Sequence, residues 1–224
     1  MARRYSALSV ALVMSLATSV AFASPIAPGS AVLTNGNNLG ATPGLAGAII
    51  DSGIQPFVGV DSLGNIKFTG TLFAAVVQEV SGTLSFYYQV HNDLTSPDAL
   101  ERFTNQSFAG FTTDVDYRTD GLAGIAIHPL SANPVGTVGS RFATRNSTGA
   151  VVGFTMPSTG ITQGADSYWH YIRTNATQYT NGSTALLNGG IATVTTFAPL
   201  VPEPTTLALV AMGAFALVRR RNGR

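Results

Sequence analysis

The chain has 224 residues, with 45% apolar and only 10% charged residues and no cysteine. A typical soluble domain carries roughly 25% charged residues; here Gly, Thr, Ser and Asn fill the deficit, which suits strands and turns better than helices. The absence of cysteine excludes disulfides, thiolate metal sites and a cysteine nucleophile. The formal charge of +1 conceals a mildly acidic body, because six of the twelve basic residues lie at the two ends, and Ser24–Leu200 holds six basic against ten acidic side chains. That balance argues against nucleic acid as a partner, which requires a basic stripe.

The N-terminus places Arg3 and Arg4 ahead of an apolar run from Ala7 to Phe22 and ends in Ala21-Phe22-Ala23 before Ser24. A charged n-region, an apolar h-region and small residues two apart read as a secretory signal peptide over residues 1–23. The sequence predicts cleavage by signal peptidase between Ala23 and Ser24. The apolar pair usual after twin arginines is missing from Tyr5-Ser6-Ala7, which favours the general secretory route.

Residues 24 to about 53 are rich in Gly, Pro, Ala and Asn and read as irregular chain or a weak first strand. Within them Ile49-Ile50-Asp51-Ser52-Gly53 has the aspartic-protease form, but that chemistry needs two such carboxylates sharing a proton, and one copy is present. Period-two alternation then predicts strands over 83–90, 111–118 and 191–197, with weaker ones over 66–77, 141–154 and 168–174. Ser81-Gly82, Asp120-Gly121, Ser147-Thr148-Gly149 and Asn181-Gly182 read as the turns between them. Residues 96–103 read as one short capped turn of helix. Alternating strands separated by turns predict an antiparallel β-sandwich for residues 24–200.

Candidate chemistry in the body is sparse. Asp114, Asp116 and Asp120 suggest a calcium loop, yet Arg118 and Ile125 occupy two of the ligand positions, and the alternation puts Asp114 and Asp116 on a solvated face. The three histidines, His91, His128 and His170, form no metal-binding pair. Trp169 and Tyr171 share one face of a strand with His170 opposite, and core or half-buried strand is the better reading of this segment. With Tyr87 they are the residues that would stack on a sugar ring if the body were a carbohydrate-binding module. A polysaccharide hydrolase would need two facing carboxylates about 5–10 Å apart, and no pair is nominated. The sequons at Asn105, Asn146, Asn175 and Asn181 are weak hints of surface loops. No catalytic residue, metal or cofactor is assigned, and a non-enzymatic role is expected.

The C-terminus joins Val201-Pro202-Glu203-Pro204 to a fourteen-residue apolar piece, Thr205–Val218, and then Arg219-Arg220-Arg221. A helix of that length spans roughly 21 Å, short of a hydrocarbon core of about 30 Å, so it suits a transient stop. The arginines are expected to stay on the cytoplasmic side and to block passage. This tripartite tail resembles the PEP-CTERM sorting signal of Gram-negative bacteria. The stretch from Gly82 to Gly121 is similar to the bodies of uncharacterised proteins of that kind, which brings no activity with it. The resemblance implies recognition of residues 201–224 by an exosortase, an intermediate held in the inner membrane, and transfer to the cell surface or an exopolysaccharide matrix. The expected architecture is therefore mainly β: an antiparallel sandwich flanked by an N-terminal signal helix and one short C-terminal transmembrane helix. The expected role is that of a structural or adhesive surface protein.

Overall fold

The computed structural model describes residues 24–126 and 128–201. The expected signal helix and C-terminal transmembrane helix lie outside the described residues, and no helix among those described is long and apolar enough to cross a membrane. Twelve strands form the body: β1 (Ser24–Pro25), β2 (Ala31–Leu33), β3 (Gly47–Val60), β4 (Ile66–Glu79), β5 (Leu84–Asn92), β6 (Arg102–Asn105), β7 (Thr113–Arg118), β8 (Phe142–Arg145), β9 (Val152–Thr155), β10 (Trp169–Thr174), β11 (Tyr179–Leu187) and β12 (Ile191–Pro199). They hydrogen-bond in the order β1-β7-β10-β5-β4-β3-β12-β11-β6-β9-β8-β2, and every ladder is antiparallel. The mainly β, antiparallel expectation holds.

The sheet is nearly closed. Its edge strands β1 and β2 are successive pieces of one short segment, one paired with β7 and the other with β8. At the opposite side β3 and β12 meet in a single register pair, Val60 with Ile191. The sheet wraps around a core that includes Phe68, Leu72, Phe86, Tyr88, Phe103, Phe108 and Phe154. In the β3–β4 hairpin, Gly59 stands opposite Phe68 and Gly70 opposite Phe57. A Cβ at either glycine would overlap the ring facing it, so the two glycines let the aromatic pair lie edge to face, 5.9 Å apart.

A second, smaller core lies on the other face of β4, β5 and β10. Leu45, Leu122, Ile125 and Leu130 from two long connections cover Ala75, Val77, Tyr87, Trp169 and Tyr171. Arg118 holds this layer down: its buried guanidinium is paired with Asp120 (2.9 Å) and donates to the Ala123 carbonyl (2.6 Å) and to that of Leu45 (3.4 Å). Three readings are corrected. Asp116 is buried and accepts the N–H groups of Gly36 and Tyr117; Asp114 is half-buried. The face expected to meet water meets the second layer instead. Residues 96–103 form no helix, because the N–H groups of Asp98 and Leu100 are taken by the carbonyls of Lys67 and Ile161 across the chain. Asn181-Gly182 lies inside β11, where Gly182 pairs with Thr196; the β11–β12 turn falls at Asn188–Gly190, with Gly189 at φ 57°.

Candidate functional site

The residues assigned to sorting lie where the described body begins and ends. Ser24 pairs with Val115 in the first strand. At the other end the N–H of Leu200 donates to the Gln178 carbonyl (3.0 Å), and Val201 is 52% exposed. Ala21, Ala23, Pro202, Glu203, Pro204, Arg219, Arg220 and Arg221 lie outside the described residues. The hydrogen-bonded body therefore runs to within two residues of Pro202.

The chemistry candidates of the body are largely occupied by their neighbours. The Asp51 carboxylate accepts the Ser52 N–H (2.7 Å) and the Tyr179 hydroxyl (3.0 Å), a bond that also raises the Tyr179 pKa. Ser52 lies 3.4 Å from His128 Nε2, a contact that suggests a nucleophile and its base. The cap geometry argues otherwise. His128 Nδ1 accepts the Leu130 N–H (3.2 Å), so in the neutral ring the proton is on Nε2, which then donates to Ser52 and is not free to take its proton. His170 is fully buried, with Nε2 accepting the Ser140 N–H (3.0 Å) and Nδ1 donating to the Tyr168 carbonyl (2.9 Å). Burial pushes its pKa down to about 3, and it packs edge to face on Phe103 and Phe154 as a core residue. His91 pairs with Asp166 at 2.9 Å on the surface.

The carboxylates behave similarly. Glu79 is buried, its two oxygens gripped by Arg173 (2.6 Å each), and Ser85 donates to one of them. Asp114 lines the same small cavity of about 150 Å³, and burial raises its pKa while Arg173 opposes the shift. Two acids with different environments form the pattern of an acid–base pair, but Glu79 is already saturated and ligand sites are about 300–1,000 Å³. Asp120 is held below the usual carboxylate range because the Arg118 pair outweighs its burial. Among the described residues no group of three or more His, Cys, Asp or Glu side chains is placed to hold a metal.

Trp169, Tyr171 and Tyr87 are at most 1% exposed, so none of them offers a face to a sugar, and that form of carbohydrate-binding module is corrected. Asn105 is buried and accepts the Thr184 hydroxyl (2.7 Å), which removes it as a surface sequon. An open cleft of about 630 Å³ lies between the β3–β4 and β11–β12 turns and reaches Arg102. Sequence reasoning missed it because its residues come from four strands, two of which, β6 and β11, show little alternation. The Asn188-Gly189-Gly190 turn was the one available signal.

Residues 200–222 match the PEP-CTERM protein-sorting motif. No curated protein and no solved structure matches the chain. The motif supports a protein that is sorted by an exosortase and passes through the membrane to a cell-surface or extracellular location.

Proposed function

We propose that this chain, which carries a PEP-CTERM sorting motif, is a non-enzymatic structural or adhesive protein of the cell surface or exopolysaccharide matrix. The observation that carries the reading is the junction: the motif begins at Leu200, immediately after β12, so the tail delivers a folded β-body with almost no tether. The body suits a passive load. Glu79 with Arg173 and Arg118 with Asp120 are ion-paired internally, and the main core is a cluster of aromatic and aliphatic side chains. Signal peptidase removes residues 1–23, the apolar tail parks the chain in the inner membrane, and the exosortase reads Val201-Pro202-Glu203-Pro204.

Proline cannot donate a backbone hydrogen bond and disfavours helix in the residue before it. On this reading the two prolines serve to disfavour helix at the motif and so leave Glu203 open to the enzyme. The test is fractionation of the native host, with and without its exosortase. Replacing Pro202-Glu203-Pro204 by alanines is expected to leave export and membrane retention intact and to block transfer to the surface, whereas deleting Arg219–Arg221 weakens retention. An alanine variant processed like the wild type overturns the assignment.

A further inference from the structure

We infer that the end of the body from which the sorting tail leaves is a docking face for the lipid bilayer, so that the membrane-held form stands with that end in the headgroup layer. The inference rests on the sorting reading above and adds where the body sits. The face follows from strand direction. β3 is antiparallel to both β4 and β12, so β12 delivers Leu200 to the same end of the sheet as the β4–β5 turn. The ladders bring five connections to this end: 26–30, 80–83, 106–112, 146–151 and 175–178. None of them contains Asp, Glu, Lys or Arg, and neither do Leu200 and Val201. The four connections at the opposite end, 61–65, 93–101, 156–168 and 188–190, carry Asp61, Asp93, Asp98, Glu101 and Asp166.

The charged groups nearest the tail end are set back within the ladders. Glu79 is buried and gripped by Arg173, and Asp114 stands beside Arg173 in register. Arg145 is buried under backbone carbonyls. Two acids and two arginines cancel. Asp51, farther up β3, accepts the Tyr179 hydroxyl. What this end shows to its surroundings is uncharged: Val80 is 88% exposed and Val201 52%, among exposed Ser, Thr, Asn and Gln. β3 alone separates β4 from β12, so Val80 lies beside the exit of the tail. Exposed leucines occur at the far end too, Leu63 at 85% and Leu94 at 79%, but Asp61 and Asp93 stand close to them in the chain.

Reach makes the contact unavoidable. From Leu200, held to the Gln178 carbonyl, to Thr205, where the apolar piece starts, the chain advances five steps, at most about 18 Å. The headgroup layer takes about 5–8 Å of that. The body therefore stands no more than about 10 Å clear of the bilayer surface. At such a distance a charge loses hydration, and anionic headgroups repel carboxylates. The acidic end is excluded, and the end that the tail presents is the one free of both costs. Its hydroxyls and amides hydrogen-bond to headgroup oxygens, and Val80 enters the apolar boundary.

The test uses the membrane-held chain, purified from the native host without its exosortase and reconstituted into vesicles of phosphatidylethanolamine and phosphatidylglycerol. Because the chain has no cysteine, a single-cysteine variant takes one environment-sensitive fluorophore. Val80→Cys and Ser147→Cys, on two exposed turns, report the tail end, and Leu63→Cys reports the far end. Spin-labelled lipid is expected to quench the first two labels about twofold or more and to leave the third unquenched. Six Gly/Ser residues inserted between Val201 and Pro202 separate docking from tethering: quenching is expected to survive the longer tether. Ser147→Cys keeps the test decisive should Val80→Cys misfold. The inference is overturned by tail-end labels quenched no more than the Leu63 label, by quenching lost on insertion (the tether alone), or by a Val80 label shielded equally in detergent with a dimer in ultracentrifugation (a second copy). Because sorting is read by fractionation and docking by quenching, either reading can fail alone.

Discussion

Arg145 is the pin that closes the sheet, and replacing it with methionine removes the pin while keeping much of the volume. Its Nε donates to the Gly149 carbonyl (2.9 Å), Nη1 to the Ile26 carbonyl (3.1 Å) and the Thr113 hydroxyl (2.8 Å), and Nη2 to the carbonyls of Phe108 and Phe111 (2.9 Å each). The guanidinium thus ties the N-terminal segment, the loop before β7 and the β8–β9 turn together. In Arg145→Met, Ile26 keeps a partner because the Thr113 hydroxyl donates to it (3.1 Å). The carbonyls of Phe108, Phe111 and Gly149 lose their strong donor, at about 1–3 kcal/mol for each acceptor left unpaired. Two effects offset that loss. The variant no longer strips a charge of its water, a cost of several kcal/mol, and the open pocket of about 470 Å³ beside Arg145 lets water reach some of the freed carbonyls. A net loss of about 3 kcal/mol remains, which in a domain of 150–250 residues is a fall in Tm of roughly 6–12 °C. Thermal unfolding followed by far-UV circular dichroism measures it, and hydrogen exchange localises it: the Ile26 amide, bonded to the Thr113 carbonyl at 2.9 Å, is expected to lose protection first. A fall in Tm below about 2 °C, with the Ile26 amide still protected, refutes the pin.

How far the sequence could be read depended on which faces each strand shows to water. β5 was legible because Leu84, Phe86, Tyr88 and Val90 all point into the main core, and Trp169 and Tyr171 were correctly set opposite His170. Asp116 was misplaced because alternation assumes that one face of a strand is wet; β7 is covered on both sides, by the main core and by the layer that Leu45 and Leu122 bring. The first part of β3 was obscured by the Gly-, Pro-, Ala- and Asn-rich composition up to about residue 53, and the role of Gly59, which admits the Phe68 ring, shows only in the folded hairpin. The candidate cleft was illegible for a different reason. Val60, Ile191, Leu187 and Arg102 become neighbours only through three separate ladders, and sequence distance carries no trace of that. The sorting tail needed no fold at all, since its meaning lies in local order along the chain.

Two further predictions concern the core and the junction. His170, neutral and buried with a pKa near 3, takes up a proton on unfolding below its ordinary pKa of about 6.5. Its stabilising contribution is therefore complete above that value and is lost as pH falls toward 3, by up to about 1.4 kcal/mol per pH unit. Its ring resonances are expected not to titrate between pH 8 and 4, and a midpoint near 6 would contradict the burial. The junction prediction follows from reach. An extended chain advances at most about 3.3–3.6 Å per residue, so Glu203 lies within about 7 Å of Val201, whose neighbour Leu200 is hydrogen-bonded to Gln178. An exosortase gripping Pro202-Glu203-Pro204 must work against the end of β12 or first break that bond. Ala198 is fully buried there, and Pro199 pairs with Tyr179, which makes further fraying costly. Inserting six Gly/Ser residues between Val201 and Pro202 adds up to about 20 Å of reach and removes the obstruction. Pulse-chase labelling in the native host is expected to show faster conversion of the membrane-held form to the surface form. The same acceleration is expected from Leu200→Pro, which deletes the last hydrogen bond without lengthening the chain. If the insertion leaves the rate unchanged, the folded body does not hinder the enzyme; if it slows conversion, the end of β12 belongs to what the exosortase recognises.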